Sequence, residues 1–191
     1  MPAVFLVSDT HFGHAGVCRF TESDGVTKIR PWTDPDEMDE AMVKAWNETV
    51  RPTDKVYHLG DVVINRKALK TLARLNGDKV LIKGNHDIFK LDEYTPYFRE
   101  VRSYHVMNGM ILSHIPLHPD ALYRFGTNIH GHTHTNRVMK DEGKKKVIDT
   151  RYHCVCVEQT DFRPILFEDV IKRIEAEGGT VGFKDRFVPA M

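Results

Sequence analysis

The sequence predicts an α/β fold built on a largely parallel sheet. Three short apolar runs, ending at Val7, Leu59 and Ile82, have the length and the β-branched content of buried strands. Helical patterns separate these runs, at 35–49 and at 66–75. Strands that alternate with helices in this order are typical of a parallel sheet covered by helices.

The first helix has the clearest start signal. Asp34 suits the N-cap and Pro35 suits the first helical position. Apolar residues at i, i+3 and i+4 spacing follow, from Met38 to Trp46, and this stripe should face the core. Residues 12–34, which precede the helix, read as an irregular loop, and loops of this length in compact domains are often functional.

The second half of the chain carries hairpin signals instead. Asn108-Gly109 separates strand candidates at 101–107 and 110–113, and this dipeptide favours a tight turn. The remaining expected elements are a strand at 128–130, a hairpin of 135–140 with 145–150, a strand at 152–157, a helix at 167–177 ended by Gly178, and a loosely ordered tail over 179–191 with room for a short strand.

Composition narrows the class of protein. The 191 residues fit a single domain spanning 1–191. The 27 basic residues balance 27 acidic ones, and a net charge of zero argues against a dedicated basic nucleic-acid binder. The 3 cysteines fit free thiols better than a disulfide framework, and no apolar run is long enough for a membrane span. We therefore expect a cytoplasmic protein without membrane contact, in which the 11 histidines are the unusual feature.

Polar motifs follow the predicted strands. They read DTH at 9–11, GD at 60–61, GNHD at 84–87, SH at 113–114 and GHTH at 131–134. Because ligands of open α/β sheets bind outside the carboxyl ends of the strands, these side chains should emerge at one edge. Imidazole and carboxylate groups bind divalent metals, and two such ions can clamp a phosphoryl group for in-line displacement.

In this order the five motifs resemble those of the calcineurin-like metallophosphoesterase family. The resemblance spans 9–134 and fills every metal-binding position of the family pattern. It is closest to the small bacterial and phage-type phosphoesterases, in which the first motif continues as Asp-Thr-His-Phe-Gly-His. It implies a four-layer αββα sandwich of two mixed β-sheets flanked by helices, with a two-metal centre at the strand ends.

The resemblance also implies a role for each motif residue. His86 would protonate or stabilise the leaving oxygen, and Asp87 would hold the His86 ring. A hydroxide between two divalent ions, Mn²⁺ first and Fe, Zn or Ni otherwise, would attack a phosphomonoester or phosphodiester in line. The implied metal ligands are Asp9, His11 and His134 for one ion, Asn85, His114 and His132 for the other, and Asp61 bridging both.

Two sequence differences separate this chain from particular subfamilies of the family. The Ser/Thr protein phosphatases extend Gly-Asp into GDxVDRG, whereas this chain has GDVVINR at 60–66. Purple acid phosphatases place a tyrosine ligand three residues after the bridging Asp, and Ile64 occupies that place here. Iron–tyrosinate chemistry is therefore not expected.

Several residues near the motifs are candidates for contacts with substrate. His14, Arg19 and Arg124 could touch substrate phosphate, as could Arg30, since arginine pairs with phosphate in a bidentate manner. A solvated loop charge is nevertheless the favoured interpretation of each arginine, and a plain loop histidine is an equal alternative for His14. We expect core or packing positions for His58, His130, Cys154 and Cys156.

Two other functions use the same motifs. The function of a nuclease or of a 2′,3′-cyclic-nucleotide phosphodiesterase is an alternative, although a neutral chain has little affinity for a phosphate backbone outside the site. Nucleic acid is therefore an undecided partner, beside a small-molecule or nucleotide phosphate ester. A non-catalytic metal-binding scaffold is disfavoured, because such scaffolds usually lose ligands or the acid histidine and none is missing here.

Overall fold

The computed structural model describes residues 1–183, which form two main β-sheets with helices around them. The α-helices are α1 (Pro35–Thr49), α2 (Leu91–Tyr94) and α3 (Phe167–Ala176). The 3₁₀ helices are Val17–Arg19, Arg66–Arg74, Pro119–Leu122 and Val157–Gln159. The strands are β1 (Val4–Val7), β2 (Lys55–His58), β3 (Asp78–Ile82), β4 (Glu100–Arg102), β5 (Tyr104–Met107), β6 (Met110–Ser113), β7 (Asn128–His130), β8 (Met139–Glu142), β9 (Lys145–Ile148), β10 (Tyr152–Cys154) and β11 (Ile165–Leu166).

The first sheet has the order β11-β1-β2-β3-β4, in which β1 to β4 are parallel and β11 is antiparallel to β1. Val7 pairs with His58, and His58 pairs with Leu81. The carboxyl ends of the three central strands are therefore level, and the loops that carry the first three motifs leave the sheet at one edge.

The second sheet has the order β10-β7-β6-β5, with β5 antiparallel to β6. The predicted turn at Asn108-Gly109 is confirmed, since both residues have positive φ and Met107 pairs with Met110. The predicted strand 101–107 is divided at Ser103, because β4 joins the first sheet and β5 joins the second. One extended run thus serves two sheets.

Three other boundaries differ from the sequence expectation. The second hairpin pairs β8 with β9 around a turn at Gly143, so 135–138 lie outside it. The predicted strand 152–157 ends at Cys154. The expected tail strand reduces to an isolated bridge between Phe125 and Phe183, and residues 184–191 lie outside the described part of the chain.

The helices on the first sheet start where the sequence indicates. The Asp34 side chain caps α1 by accepting a hydrogen bond from Asp36 N at 2.8 Å. The predicted helix 66–75 is instead a 3₁₀ helix. Its buried residues Leu69 and Leu72, followed by Leu75, recur at intervals of three, which matches the three residues per turn of that helix.

The core has one layer between the sheets and one on each outer side. Leu6, Ile82 and Met110 are fully buried between the sheets, together with apolar residues of α3. Trp46 of α1 lies in a larger cluster beyond the first sheet, and Ile111 in a small one beyond the second. The α/β class with two mixed sheets is confirmed. Within residues 1–183, no helix combines the length and the apolar character of a membrane span.

Candidate metal centre

The loops at the shared sheet edge hold an unusual backbone conformation. Positive φ angles occur at Asp9 (59°), His11 (50°), Asp61 (56°), His132 (69°) and His134 (50°). A left-handed backbone costs a residue other than glycine on the order of 1–3 kcal/mol, and it persists only where the surroundings enforce it. Backbone hydrogen bonds do so here, from Asp9 N to Gly60 O at 2.9 Å and from His11 N to Asp61 O at 3.0 Å.

The first candidate metal site consists of Asp9, His11 and His134, whose ligand atoms lie within 4.8 Å of one another. Nε2 of His11 lies 3.6 Å from Asp9 Oδ1, and Nε2 of His134 lies 3.9 Å from the same oxygen. Two ligand atoms that are each about 2.1 Å from an ion are at most about 4 Å apart. The spacing therefore fits donors arranged around one cation.

The second candidate site consists of Asp61, His114 and His132. Nε2 of His114 lies 3.4 Å from Asp61 Oδ2 and 2.8 Å from Asn85 Oδ1. Asp61 Oδ2 also lies 3.7 Å from His11 Nε2, a member of the first site. Asp61 is thus placed between the two sites, as a bridging ligand would be.

The donor atoms themselves test whether the site fits metal ions. Asp9 Oδ1 and both ring nitrogens of His11 are buried and have no hydrogen-bond partner among the described residues. Buried polar atoms without partners are costly in a protein interior, and cations would satisfy these. Burial alone would raise the pKa of Asp9 and of Asp61, but contacts with His11 and His114 hold both pKa values below their usual range. Both carboxylates therefore stay charged, which is the form that binds a cation.

The second oxygen of Asp9 is fully occupied, which leaves Oδ1 for a ligand. Asp9 Oδ2 accepts hydrogen bonds from Ser8 Oγ at 2.6 Å, His132 N at 2.8 Å and Cys156 Sγ at 3.1 Å. Cys156 is buried, as expected of a packing residue, and this contact to the carboxylate is an addition to the sequence prediction.

Hydrogen bonds behind the rings orient two of the histidines. Nδ1 of His114 lies 2.8 Å from Leu59 O, so Nδ1 carries the proton and Nε2 faces the site. Nδ1 of His134 lies 2.9 Å from Glu158 Oε1 in the same way. Sequence reasoning missed Glu158, whose signal was its place directly after the predicted strand 152–157. Ligating histidines usually donate their other ring N–H to such a group.

Arg30 differs from its expected role as a solvated loop charge. Its side chain is buried, and its guanidinium lies 2.7 Å from Glu158 Oε1. It also donates to the carbonyls of Asp9 at 2.6 Å and Thr10 at 2.9 Å. The guanidinium is therefore saturated by the protein and holds the first motif in place, so it is not free to bind phosphate.

His86 lies at the open side of the site, where its ring is exposed and its centroid is 5.6 Å from that of His11. Its backbone N donates to Asp61 Oδ1 at 2.8 Å. Asp87 does not orient this ring as the resemblance implied. Its carboxylate accepts hydrogen bonds from the backbone N–H groups of Asp61, Val62 and Gly84 at 2.8–3.0 Å. Asp87 is instead a buried clamp that joins the second and third motif loops.

The candidate substrate residues are only partly near the site. The His14 ring centroid is 5.6 Å from that of His11, and burial together with the charges of His11 and His86 lowers the pKa of His14 to about 4. Arg19 is exposed at the end of a 3₁₀ helix, and the Arg124 guanidinium lies 5.7 Å from the Phe125 ring. The described contacts join neither arginine to the candidate ligands.

The two histidines next to the motifs lie behind the ligands, as expected. His58 is fully buried, with Nε2 3.0 Å from Thr10 Oγ1. Burial lowers the pKa of His58 to about 3. His130 is buried with Nδ1 2.8 Å from Gly131 O, and burial lowers its pKa to about 4.

Two carboxylate–histidine groups with Asp61 between them, at the edge of a two-sheet α/β fold, are typical of the metallophosphoesterase class. Residues 3–149 match the model of the calcineurin-like phosphoesterase superfamily domain, and the chain belongs to this superfamily. The resemblance that its motifs carry is therefore confirmed.

The chain is also similar to individual proteins. The chain is 34% identical to the uncharacterised protein MJ1445 of Methanocaldococcus jannaschii, over 92% of this chain and 93% of that protein. It resembles the crystal structure of AQ665 from Aquifex aeolicus, a protein of unknown function, with a TM-score of 0.67, 25% identity, and coverage of 91% of this chain and 100% of that one. A more distant likeness is to a novel archaeal phosphodiesterase, with a TM-score of 0.41, 19% identity, and coverage of 78% and 83%.

Proposed function

We propose that this protein hydrolyses phosphomonoesters or phosphodiesters with two divalent metal ions. The observation that carries the proposal is the position of Asp61, whose Oδ2 lies 3.7 Å from His11 Nε2 and 3.4 Å from His114 Nε2. One carboxylate oxygen thus faces both candidate sites. When bound, such a pair of ions supplies an activated water and neutralises the charge of the phosphoryl group.

The donor set suits borderline divalent metals. Imidazole nitrogens favour Zn, Fe and Ni, whereas carboxylate and amide oxygens favour Mn and Mg. The two sites offer both types, and Asn85 adds an amide oxygen beside His114. We propose Mn²⁺ as the principal ion, with Fe, Zn and Ni fitting the same donors.

His86 is the residue that we propose for the leaving oxygen. Its exposed ring is close to the first site, and its backbone is tied to Asp61 Oδ1, so it is positioned with the ligand loops but is not itself part of either ligand group. A histidine in this place can donate a proton or a hydrogen bond as charge develops on the leaving oxygen. The three cysteines are free, which agrees with a cytoplasmic setting for the activity.

The test compares two variants of the purified protein. Asp61→Asn should abolish both metal binding and hydrolysis, whereas His86→Ala should lower turnover by about 10²–10⁴-fold and leave the metal content intact. Metal content is measured by elemental analysis. Turnover is measured on a panel of monoesters, diesters, 2′,3′-cyclic nucleotides and dinucleoside polyphosphates with Mn, Zn, Ni, Fe and Mg.

The outcome separates an enzyme from a scaffold. Wild-type protein that binds two ions but hydrolyses no member of the panel would contradict the proposal and indicate a metal-binding scaffold. Salt-dependent binding of DNA or RNA by Asp61→Asn would indicate a nuclease instead of an enzyme for small esters.

A further inference from the structure

A pocket of about 730 Å³ adjoins the second candidate metal site. His114 of that site and Asn85, whose Oδ1 lies 2.8 Å from His114 Nε2, both line the pocket. Binding sites for small molecules usually have volumes of about 300–1,000 Å³ and apolar walls with a few polar groups. This pocket has both properties, and His114 places it beside the second candidate metal site.

The walls of the pocket are formed by large apolar side chains that are exposed to solvent. Ile88 is 69% exposed, Tyr104 55% and Ile115 50%, and all three line the pocket together with Leu117. Exposed large apolar groups that converge on one concavity usually mark a binding site. The three exposed residues come from different segments: Ile88 follows the third motif, Tyr104 belongs to β5 and Ile115 follows β6.

Two charged residues, Lys83 and Asp87, also line the pocket. Lys83 is exposed, whereas Asp87 is buried with its carboxylate bound to backbone N–H groups. The ring of Tyr104 offers a flat face against which an aromatic group can pack.

We infer that this pocket binds an aromatic organic group of the phosphate ester, and that it sets the substrate preference of the enzyme. The inference rests on the proposed function, since it places the organic group next to a phosphoryl group at the metal site. A protein partner is disfavoured because the feature is concave and its wall includes candidate metal ligands.

The test measures how strongly the enzyme prefers a larger aromatic ester. Wild-type protein should hydrolyse 2-naphthyl phosphate with a kcat/KM about tenfold above that for phenyl phosphate, since one extra apolar ring is buried. The double variant Ile88→Ala/Ile115→Ala should reduce this ratio several-fold. The chemical difference between the two leaving groups is the same in both proteins, so the change in the ratio reports the pocket. If the enzyme hydrolyses diesters and not monoesters, 4-nitrophenyl naphthyl phosphate and 4-nitrophenyl methyl phosphate are compared in place of the two monoesters.

A matched control variant shows whether the change in the ratio is specific to the pocket. Val26→Ala/Met139→Ala also removes two exposed apolar side chains, and neither of them lines the pocket. This variant should keep the wild-type ratio. Exposed positions of this kind change stability little, so both double variants should fold.

Binding of 2-naphthol, measured by the fluorescence of this compound, tests the pocket without any hydrolysis. Binding that is lost in Ile88→Ala/Ile115→Ala supports the pocket even if no ester is hydrolysed, an outcome that would reject only the proposed function. Hydrolysis with an unchanged ratio in that variant, or absence of naphthol binding to wild-type protein, would overturn the inference and leave the proposed function standing.

Discussion

Glu158 lies directly behind His134, with Oε1 2.9 Å from Nδ1 of the ring. The same oxygen lies 2.7 Å from the Arg30 guanidinium, and both side chains of this ion pair are buried. Burial alone would raise the pKa of Glu158, but the contacts with His134 and Arg30 hold it below the usual range. A charged carboxylate is therefore shared between a candidate metal ligand and the arginine that holds the first motif.

Glu158→Gln should weaken both the metal site and the fold. It removes the counter-charge of buried Arg30, and breaking a buried pair in this way costs about 3–5 kcal/mol of unfolding free energy. It also weakens the support of His134, for which a roughly tenfold loss of metal affinity is expected. Urea denaturation and metal titration measure the two effects.

The control for this prediction is Glu142→Gln, which changes an exposed partner of Lys140 on the β8–β9 hairpin. This variant should change neither the metal affinity nor the free energy of unfolding. If Glu158→Gln keeps the wild-type metal affinity and unfolding free energy, Glu158 does not support the site.

Asp87→Asn and His86→Ala should have different effects, although the residues are adjacent. The amide of Asn has one acceptor oxygen, so at least one of the three backbone N–H groups that Asp87 binds loses its partner. An unsatisfied buried group costs about 1–3 kcal/mol, and the Asp61 loop should shift with it. Asp87→Asn should therefore lower stability and metal affinity. A variant that loses turnover alone would show that Asp87 acts through His86 after all.

Gly84→Ala should displace the proposed bridging ligand. A Cβ atom at this position would overlap Asp61 Oδ1 and would lie 2.5 Å from Asp61 N, a distance that real Cβ atoms do not show. Loss of metal binding is expected, as measured by elemental analysis. Gly143→Ala is the comparison. Its positive φ of 64° strains the substitution, but a Cβ there meets no atom within 4 Å and the turn is remote from the site. Equal metal content in both variants would contradict the close packing of Gly84 against Asp61.

Asp39 on α1 should make the stability of the fold depend on pH. Burial raises the pKa of Asp39 to about 6, although its two oxygens accept hydrogen bonds from Gly13 N at 3.0 and 2.9 Å. The folded state therefore binds the proton more tightly than the unfolded state, for which the usual value is 3.8. The free energy of unfolding should fall as the pH rises from about 4 to about 6.

Asp39→Asn isolates this effect, because Asn does not titrate and its oxygen can still accept from Gly13 N. Relative to wild type, the variant should gain stability across that pH range and keep a constant advantage above it. Urea midpoints at a series of pH values measure the difference. A difference that stays flat between pH 4 and pH 7 would contradict the prediction.

The parts of the site that sequence reasoning predicted are those that local patterns determine. Asp9, Asp61 and Asn85 each follow a recognisable strand, and the level ends of β1, β2 and β3 bring them together. The Asn108-Gly109 turn was likewise predictable, because it depends on two adjacent residues. Such features need no knowledge of distant contacts.

The features that were missed depend on contacts between distant segments. Arg30 is a buried anchor only because Glu158 lies against it across the fold, and nothing local to either residue indicates this. The role of Asp87 is likewise set by N–H groups from the Asp61 loop, and not by its sequence neighbour His86. The division of 101–107 between two sheets has the same cause, since pairing partners and not strand propensity decide where a strand ends.

Each candidate metal site takes side chains from both sheets. Asp9 and His11 follow β1, whereas His134 follows β7, and the second site combines Asp61 of the first sheet with His114 of the second. A bound ion is then a reversible cross-link that closes a long loop of chain, in the way that a disulfide would. The orientation of the two sheets relative to each other would therefore become more fixed as the concentration of free metal rises. A chelator would loosen the fold as well as stop the hydrolysis.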